Sequence, residues 1–516
     1  MAGTPVNAEL PTAGGSPRTD TLADSVMILL GLTAVQRVVG FCRAIIFCRW
    51  LDPEQLGRWE MAFSFLLLAA PLAVLALPGA FRRYVEHYRQ AGQLRTFLGR
   101  TATVCSVLAA VAVASVLLGR RWFSVLIFGN TDQGQLVAIL AVGLIAVVAH
   151  NFLIELFTAL RNVRLVAVMQ LINSVAFAAL GAWLLLWWQR SAAAVVAAYG
   201  AACLIAACCA WPAVRRTWNS SYSRGVEPLA AGTLWGKIGP FAAWLLLAAV
   251  LANLFGVVDR YMLIHFSTAS PDDALRQVGN YHSARVVPVL LISIAAMLGT
   301  MITPHLSRDW EAGRRNRAGL RLRLFLKLFG LAVSAAAVGL LAASPLLFGV
   351  AFKGKFAGGL AVLPWTVTYC SWFALFVVAQ TYLWCAEKAR LASVALAVGM
   401  VANVCLNLLL LPKLGLPGAV LATAAANLAA LVLLGIFNHL LGFPTDRGLL
   451  VIGALPITVC LGPPLATLVL VGVVLEAVYR DRIFNAQEKR KIVDGTREYL
   501  LRFRKLRFGT TTDLQA

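Results

Sequence analysis

The sequence is short of charge, and shortest of negative charge: only 13% of its 516 residues are Asp, Glu, Lys or Arg, and 23 acids face 45 bases. So few charges cannot cover a soluble globule of this length. With 60% apolar residues and a mean hydropathy of +0.78, the chain reads as an integral membrane protein. Its basic excess would suggest nucleic acid in a soluble chain. Here it reports membrane orientation, and no nucleic-acid partner is expected. Histidine is scarce too, at six residues, and no nucleotide or metal motif is present, so neither an enzyme nor a cofactor is expected. The ten cysteines (42, 48, 105, 203, 208, 209, 370, 385, 405 and 460) lie in or beside apolar runs without metal-type spacing and read as small core hydrophobes. The N-terminus lacks the basic start and short apolar core of a cleavable signal, so residues 1–24 read as a disordered cytoplasmic lead.

What the chain has in abundance is long apolar runs. A bilayer core about 30 Å thick asks for about 20 such residues per helix. Segments of this kind fall near 25–48, 60–80, 101–119, 136–158, 165–188 and 193–214, an N-lobe spanning 25–214. After a basic linker (215–238), six more fall near 239–266, 282–303, 325–343, 360–385, 389–411 and 417–438, a C-lobe spanning 239–438. With a cytoplasmic N-terminus, the loops on that side hold 20 Lys or Arg against 9 on the other, the asymmetry that retained positive charge produces. Within 439–479, the apolar stretch 448–478 is too long for one span and too short for two, with Gly462, Pro463 and Pro464 in its middle; ten Lys or Arg follow between 480 and 507. A hairpin returns that basic tail (480–516) to the cytoplasm, which gives 12 to 14 crossings. In the tail, Ile492, Thr496, Leu500 and Phe503 recur at helical spacing, as in a helix lying on an anionic leaflet; a solvated charged tail is the alternative. The fold expected is all-α and polytopic, two six-helix lobes related by a pseudo-two-fold along the membrane normal plus the hairpin. A faint repeat supports it: GFCRAIIF (40–47) beside GVVDRYMLI (256–264), and LPGAFRRYVEH (77–87) beside MLGTMITPHLSRDWEAG (297–313).

Several local patterns carry a family resemblance. CRWLDPEQLGRWEMA (48–62), VVDRYML (257–263), VGNYHSAR (278–285), ITPHLS (302–307), SPLLFGVAFKGKFAGG (344–359) and LPKLGLPGAVLATAAAN (411–427) are similar, in order, to signatures of the bacterial polysaccharide-transport proteins. These are the O-antigen and exopolysaccharide flippases, in the superfamily that also holds multidrug exporters and the peptidoglycan-precursor flippase. The resemblance implies a two-lobed transporter of the cell inner membrane that moves an undecaprenyl-pyrophosphate-linked oligosaccharide by alternating access. It further implies membrane lipids and the polysaccharide polymerase or chain-length machinery as partners. The region after 440 departs from the pattern.

Ionisable groups inside spans are costly and mark a pathway or a partner. The candidates are Arg37, Arg43, Glu155, Asp259, Arg260 and Arg285, four bases against two acids. A cationic cavity suits a pyrophosphate, which a guanidinium fork binds without deprotonating. Arg37, Arg43, Arg260 and Arg285 are therefore the substrate-binding candidates, with a buried ion pair or a snorkelled side chain as the alternative for the first two. Asp259 and Arg260 are adjacent and cannot face one side of a helix, so they do not simply neutralise each other. Arg82 and Arg83 are candidates for capture at the inner surface, and Glu155 and Asp259 for ion coupling; pairing with Arg161 or Arg164 is the alternative for Glu155. Competing functions are an organic-cation exporter of the same fold, opposed by the sign of the cavity, and a membrane glycan polymerase or ligase, which the outer loop of about 15 residues (267–281) ill suits.

Overall fold

A computed structural model describes residues 22–220, 231–494 and 497. Most of the N-terminal lead, the middle of the linker (221–230) and the tail positions Thr496, Leu500 and Phe503 lie outside the described residues. Among the described residues there is no strand. The first half holds α1 (Leu22–Trp50), α2 (Pro53–Ala73), α3 (Phe81–Gln90), α4 (Leu94–Leu118), α5 (Arg120–Phe128), α6 (Gly134–Ala159), α7 (Val163–Trp187), α8 (Ala192–Cys209) and α9 (Trp211–Ser220). The second holds α10 (Ala231–Phe266), α11 (Pro271–Arg285), α12 (Pro288–Glu311), α13 (Arg315–Leu346), α14 (Ala357–Ala379), α15 (Thr381–Cys385), α16 (Ala389–Leu414), α17 (Leu416–Leu440), α18 (Arg447–Ala454) and α19 (Pro463–Tyr479). Twelve of these helical stretches are long and apolar enough to cross a membrane. The chain is a multi-pass membrane protein.

Two departures from the sequence expectation bear on the site. The second span starts at Pro53, not residue 60, because Asp52 precedes a proline at the first helical position, where its fixed φ and missing N–H are harmless. Glu54, Arg58 and Glu60 thus lie within the helix, and Glu60 is tolerated there by ion pairs described below. The helix ends past Pro71, where Leu75 and Ala76 both take φ of 50°. The segment 267–281, expected as a loop, is largely α11: Ser270 accepts a hydrogen bond from the backbone N–H of Asp273, Pro271 opens the helix, and Asp272 and Asp273 complement its positive end. The following span accordingly begins at Pro288.

α1, α2, α4, α6, α7 and α8 form one bundle; α10, α12, α13, α14, α16 and α17 form the other, with α11 packed on α2 and α14. The ends of α2, α6 and α12 lead to a basic face carrying Arg82, Arg83, Arg161, Arg164, Arg314 and Arg315. At the opposite, far face the bundles meet closely. A Cβ on Gly57 would lie 1.9 Å from the carbonyl oxygen of Leu275, and one on Gly279 1.8 Å from that of Pro53. Only a glycine pair lets α2 and α11 cross at this separation, the small-residue contact of membrane helices. Lys355 bound to Asp52 at 2.8 Å and Arg49 donating to the carbonyl of Val350 at 3.2 Å complete the seam.

The C-terminal apolar stretch goes out and back. α18 continues as a 3₁₀ segment (Leu455–Leu461), turns at Gly462 with φ of 92°, and returns as α19. Its two ends meet, since a Cβ on Gly448 would lie 2.2 Å from the carbonyl oxygen of Ile483. Beside that junction Lys327, wholly buried, binds Asp446 at 2.5 Å, Glu488 at 3.0 Å and the carbonyl of Ile483 at 2.7 Å, while Arg323 holds Glu488 at 2.7 Å. Residues before and after the hairpin are thereby tied to the same end of α13.

Candidate functional site

Between the bundles lies a cavity of about 360 Å³. On α1 the residues Gln36, Gly40, Arg43 and Phe47 recur at steps of three and four and face it as one stripe; Arg37 sits at the stripe's edge and also lines the space. α7 contributes Gln170, Asn173, Ser174 and Phe177, α8 Tyr199, α12 Ser293, and α2 and α11 contribute Glu60 and His282. The Arg43 guanidinium lies 4.2 Å from the centre of the Phe177 ring. That ring packs in turn on Phe47, Trp59 and Tyr199 at 5.1–5.5 Å. An aromatic face holds a guanidinium while leaving its N–H edge available. Neither Arg37 nor Arg43 has an acidic partner among the described residues. Arg37 is rotated by about 120° from Arg43 on one helix, and the cavity is wide enough to take both.

Glu60, which the sequence reading left out by starting its span there, is the acid of this cavity. It is 5% exposed, with one carboxylate oxygen 2.7 Å from Nη2 of Arg260 and the other 2.6 Å from Nδ1 of His282. Arg260 also donates to the hydroxyl of Ser64 at 3.0 Å. Arg260, expected on the substrate path, is thus 8% exposed and bound across the bundle interface to a partner 200 residues away, a pairing that no local pattern announces. Arg285 is half-buried at the junction of α11 and α12, 5.3 Å over the Tyr281 ring, and is not among the lining side chains.

Asp259, one residue before Arg260, points the other way, into the second bundle. It accepts from Thr423 at 2.8 Å, Tyr281 at 3.3 Å and Asn407 at 3.4 Å; Tyr281 also shares a hydrogen bond with Tyr369, and Asn407 with Asn403 at 2.9 Å. Every partner of this carboxylate is neutral, and the side-chain oxygen of Asn407 is buried without a hydrogen bond. No group of three or more His, Cys, Asp or Glu gathers anywhere among the described residues.

Toward the basic face a second cavity, about 510 Å³, shares Phe63 and Tyr199 with the first. At its mouth Arg82 forms a two-pronged pair with Glu155, at 2.9 and 2.8 Å, so Glu155 meets Arg82 across the fold. Arg83 lies 5.0 Å over the Phe241 ring of α10, and Tyr84 donates to the carbonyl of Lys237 at 3.2 Å.

Residues 22–310 match the family described as "Polysaccharide biosynthesis protein". The chain belongs to that family. No curated protein matches it by sequence. Among solved structures it resembles the lipid II flippase MurJ in an inward closed conformation, at 12% identity and a TM-score of 0.66, covering 88% of this chain and 99% of that one. An inward-facing multidrug resistance MATE transporter of the MOP superfamily matches at 13% identity and TM-score 0.60, over 78% and 94%. A MOP superfamily transporter from Pyrococcus furiosus, described as having a binding pocket of reversed polarity, matches at 14% identity and TM-score 0.55, over 84% and 95%. At these identities the likeness establishes the fold of these transporters and flippases. The family member described here shares that fold along nearly its whole length.

Proposed function

We propose that this protein is a flippase that carries an undecaprenyl-pyrophosphate-linked oligosaccharide, an O-antigen or exopolysaccharide repeat unit, from the inner to the outer leaflet of the cell inner membrane. The observation that carries the reading is the sign of the cavity: Arg37 and Arg43 face the space between the bundles with no acid paired to either among the described residues, while Glu60 is taken up by Arg260 and His282. The part-buried guanidinium of Arg43 rests on the Phe177 ring, and a pyrophosphate offers it and the exposed Arg37 oxygens that a guanidinium fork engages two at a time. Family membership in polysaccharide biosynthesis and the likeness to a lipid II flippase both agree with a lipid-linked cargo.

With the basic face cytoplasmic, as retained positive charge favours, the N-terminus lies inside and the far-face seam closes the outer side. The cavity then loads from within. Arg82 and Arg83 at the inner mouth meet the pyrophosphate first, Arg82 exchanging Glu155 for the phosphate. The bundles rock, the seam opens, and the lipid tail stays in the bilayer between them. For the driving force we propose a monovalent cation at Asp259. A buried carboxylate met by Thr423, Tyr281 and Asn407, with Asn403 bonded behind them and the amide oxygen of Asn407 to spare, is a set of hard oxygen donors suited to a small cation. Polymerase or chain-length machinery would receive the product outside.

A second reading, export of an organic cation, draws on the aromatic wall of Trp59, Phe63, Phe177 and Tyr199 beside Glu60. One experiment separates the two. In proteoliposomes loaded with a fluorescent undecaprenyl-pyrophosphate oligosaccharide, the wild type should expose the label to an outside quencher, and the Arg37→Ala, Arg43→Ala double variant should not. Movement of a lipid cation, with none of the pyrophosphate lipid, would replace the flippase by the exporter.

A further inference from the structure

Resting on the flippase reading, we propose that Glu60 is an internal counter-ion for the cargo site: it occupies His282 and Arg260 while the cavity is empty, and the pyrophosphate takes its place and so unfastens the far-face seam. Glu60 belongs to α2 and its two partners to α11 and α10, so the ion pairs span the interface that must open. Both Glu60 and His282 line the cavity, whereas Arg260 does not and is bound to the carboxylate from the side of the second bundle. An anion entering the cavity therefore meets His282 directly and must displace Glu60 to reach Arg260.

Position gives the exchange its consequence. Glu60 lies one helical turn after Gly57, and His282 one turn after Gly279, the two glycines whose backbones make the closest crossing of the bundles. The charge cluster is thus the fastening next to that crossing. Burying it is expensive, since taking each ion out of water costs several kcal/mol and an apolar substitute often serves stability as well or better. The cluster is accounted for if the contact has to be exchanged during transport. An empty carrier stays shut, because Glu60 holds Arg260 and His282. A loaded one is released, because the phosphate holds them instead. A neutral or cationic cargo gains nothing from the exchange, which makes the cluster a determinant of cargo charge as well as a fastening.

The prediction concerns binding, so it is read without transport. The purified full chain in lipid nanodiscs is titrated with a short-chain prenyl pyrophosphate, with inorganic pyrophosphate, and with the matching prenyl alcohol. Glu60→Gln removes the competing charge and keeps the shape; it should tighten prenyl pyrophosphate binding about tenfold, tighten inorganic pyrophosphate in the same direction, and leave the alcohol unchanged. Glu60→Asp, which keeps the charge on a shorter stem, should fall between wild type and Glu60→Gln and covers the case in which the amide variant does not fold. Pyrophosphate binding that no Glu60 variant tightens beyond the wild type would overturn the exchange while leaving the anion cavity standing. Tightening that extends equally to the alcohol would make Glu60 a structural residue only. Tightening of inorganic pyrophosphate alone would mark a free-phosphate site and overturn the role of the lipid-linked cargo. Failure of every variant and of the wild type to bind either pyrophosphate would sink the flippase reading itself, and the exchange with it.

Discussion

In the cavity, Arg37 and Arg43 stand without acidic partners among the described residues, one of them held by an aromatic ring; in the second bundle, Asp259 is met by neutral hydroxyls and an amide. Both arrangements keep an ionisable group inside the membrane, and they do so with opposite signs and opposite degrees of satisfaction. The difference teaches how two tasks are separated. On the proposed function, an open cationic wall serves a large anion that comes and goes, and an enclosed carboxylate among hard oxygens serves a small cation. Between them Arg260 and Asp259, adjacent in sequence, face opposite bundles, so α10 carries a link to each site.

The contrast breaks most completely if the cationic wall is removed. The Arg37→Ala, Arg43→Ala double variant should lose at least about 100-fold in transport, because hydrogen bonds to charged groups contribute about 1.5–3 kcal/mol each, while membrane insertion, read by protein abundance in the membrane fraction, stays at the wild-type level. Asp259→Asn should act on the other site alone: transport slows by about tenfold and no longer responds to an imposed ion gradient, with pyrophosphate-lipid affinity unchanged in a binding titration. Equal loss of affinity in both variants would mean that the two regions form one site. Arg43→Lys sharpens the first region, since a point charge replaces only part of a fork; about a tenfold loss in transport is expected, read in the same quenching assay. Thr423→Val, which removes one neutral oxygen beside Asp259, should weaken the dependence on the coupling cation by about threefold, measured as the cation concentration for half-maximal rate. Arg82→Gln should have the smallest effect, about twofold on uptake at low substrate, because an exposed ion pair is worth at most about 1 kcal/mol.

The architecture was largely legible because a membrane span imposes its length on the sequence: all twelve long apolar stretches are helices in the structure. What escaped followed from contacts and caps. Glu60 looked like the polar edge of a span because its partners lie at 260 and 282, beyond any local window. α11 looked like a loop because its residues are mixed in polarity, although Ser270, Pro271 and Asp273 spell a helix start that the reading did not use. The Gly57 and Gly279 crossing was invisible for the same reason, since a glycine does not state which backbone it faces. The two arginines of α1 were legible because a charge in an apolar run stands out by itself. Their freedom from acidic partners was not, and it is this freedom on which the functional reading rests.

That freedom is tested most directly by a cryo-EM structure of the full chain in nanodiscs with an undecaprenyl-pyrophosphate oligosaccharide bound. The account predicts the pyrophosphate density between the bundles, within hydrogen-bond distance of Arg43 and Arg37. Density for the head confined to the basic face, with the α1 arginines untouched, would contradict it.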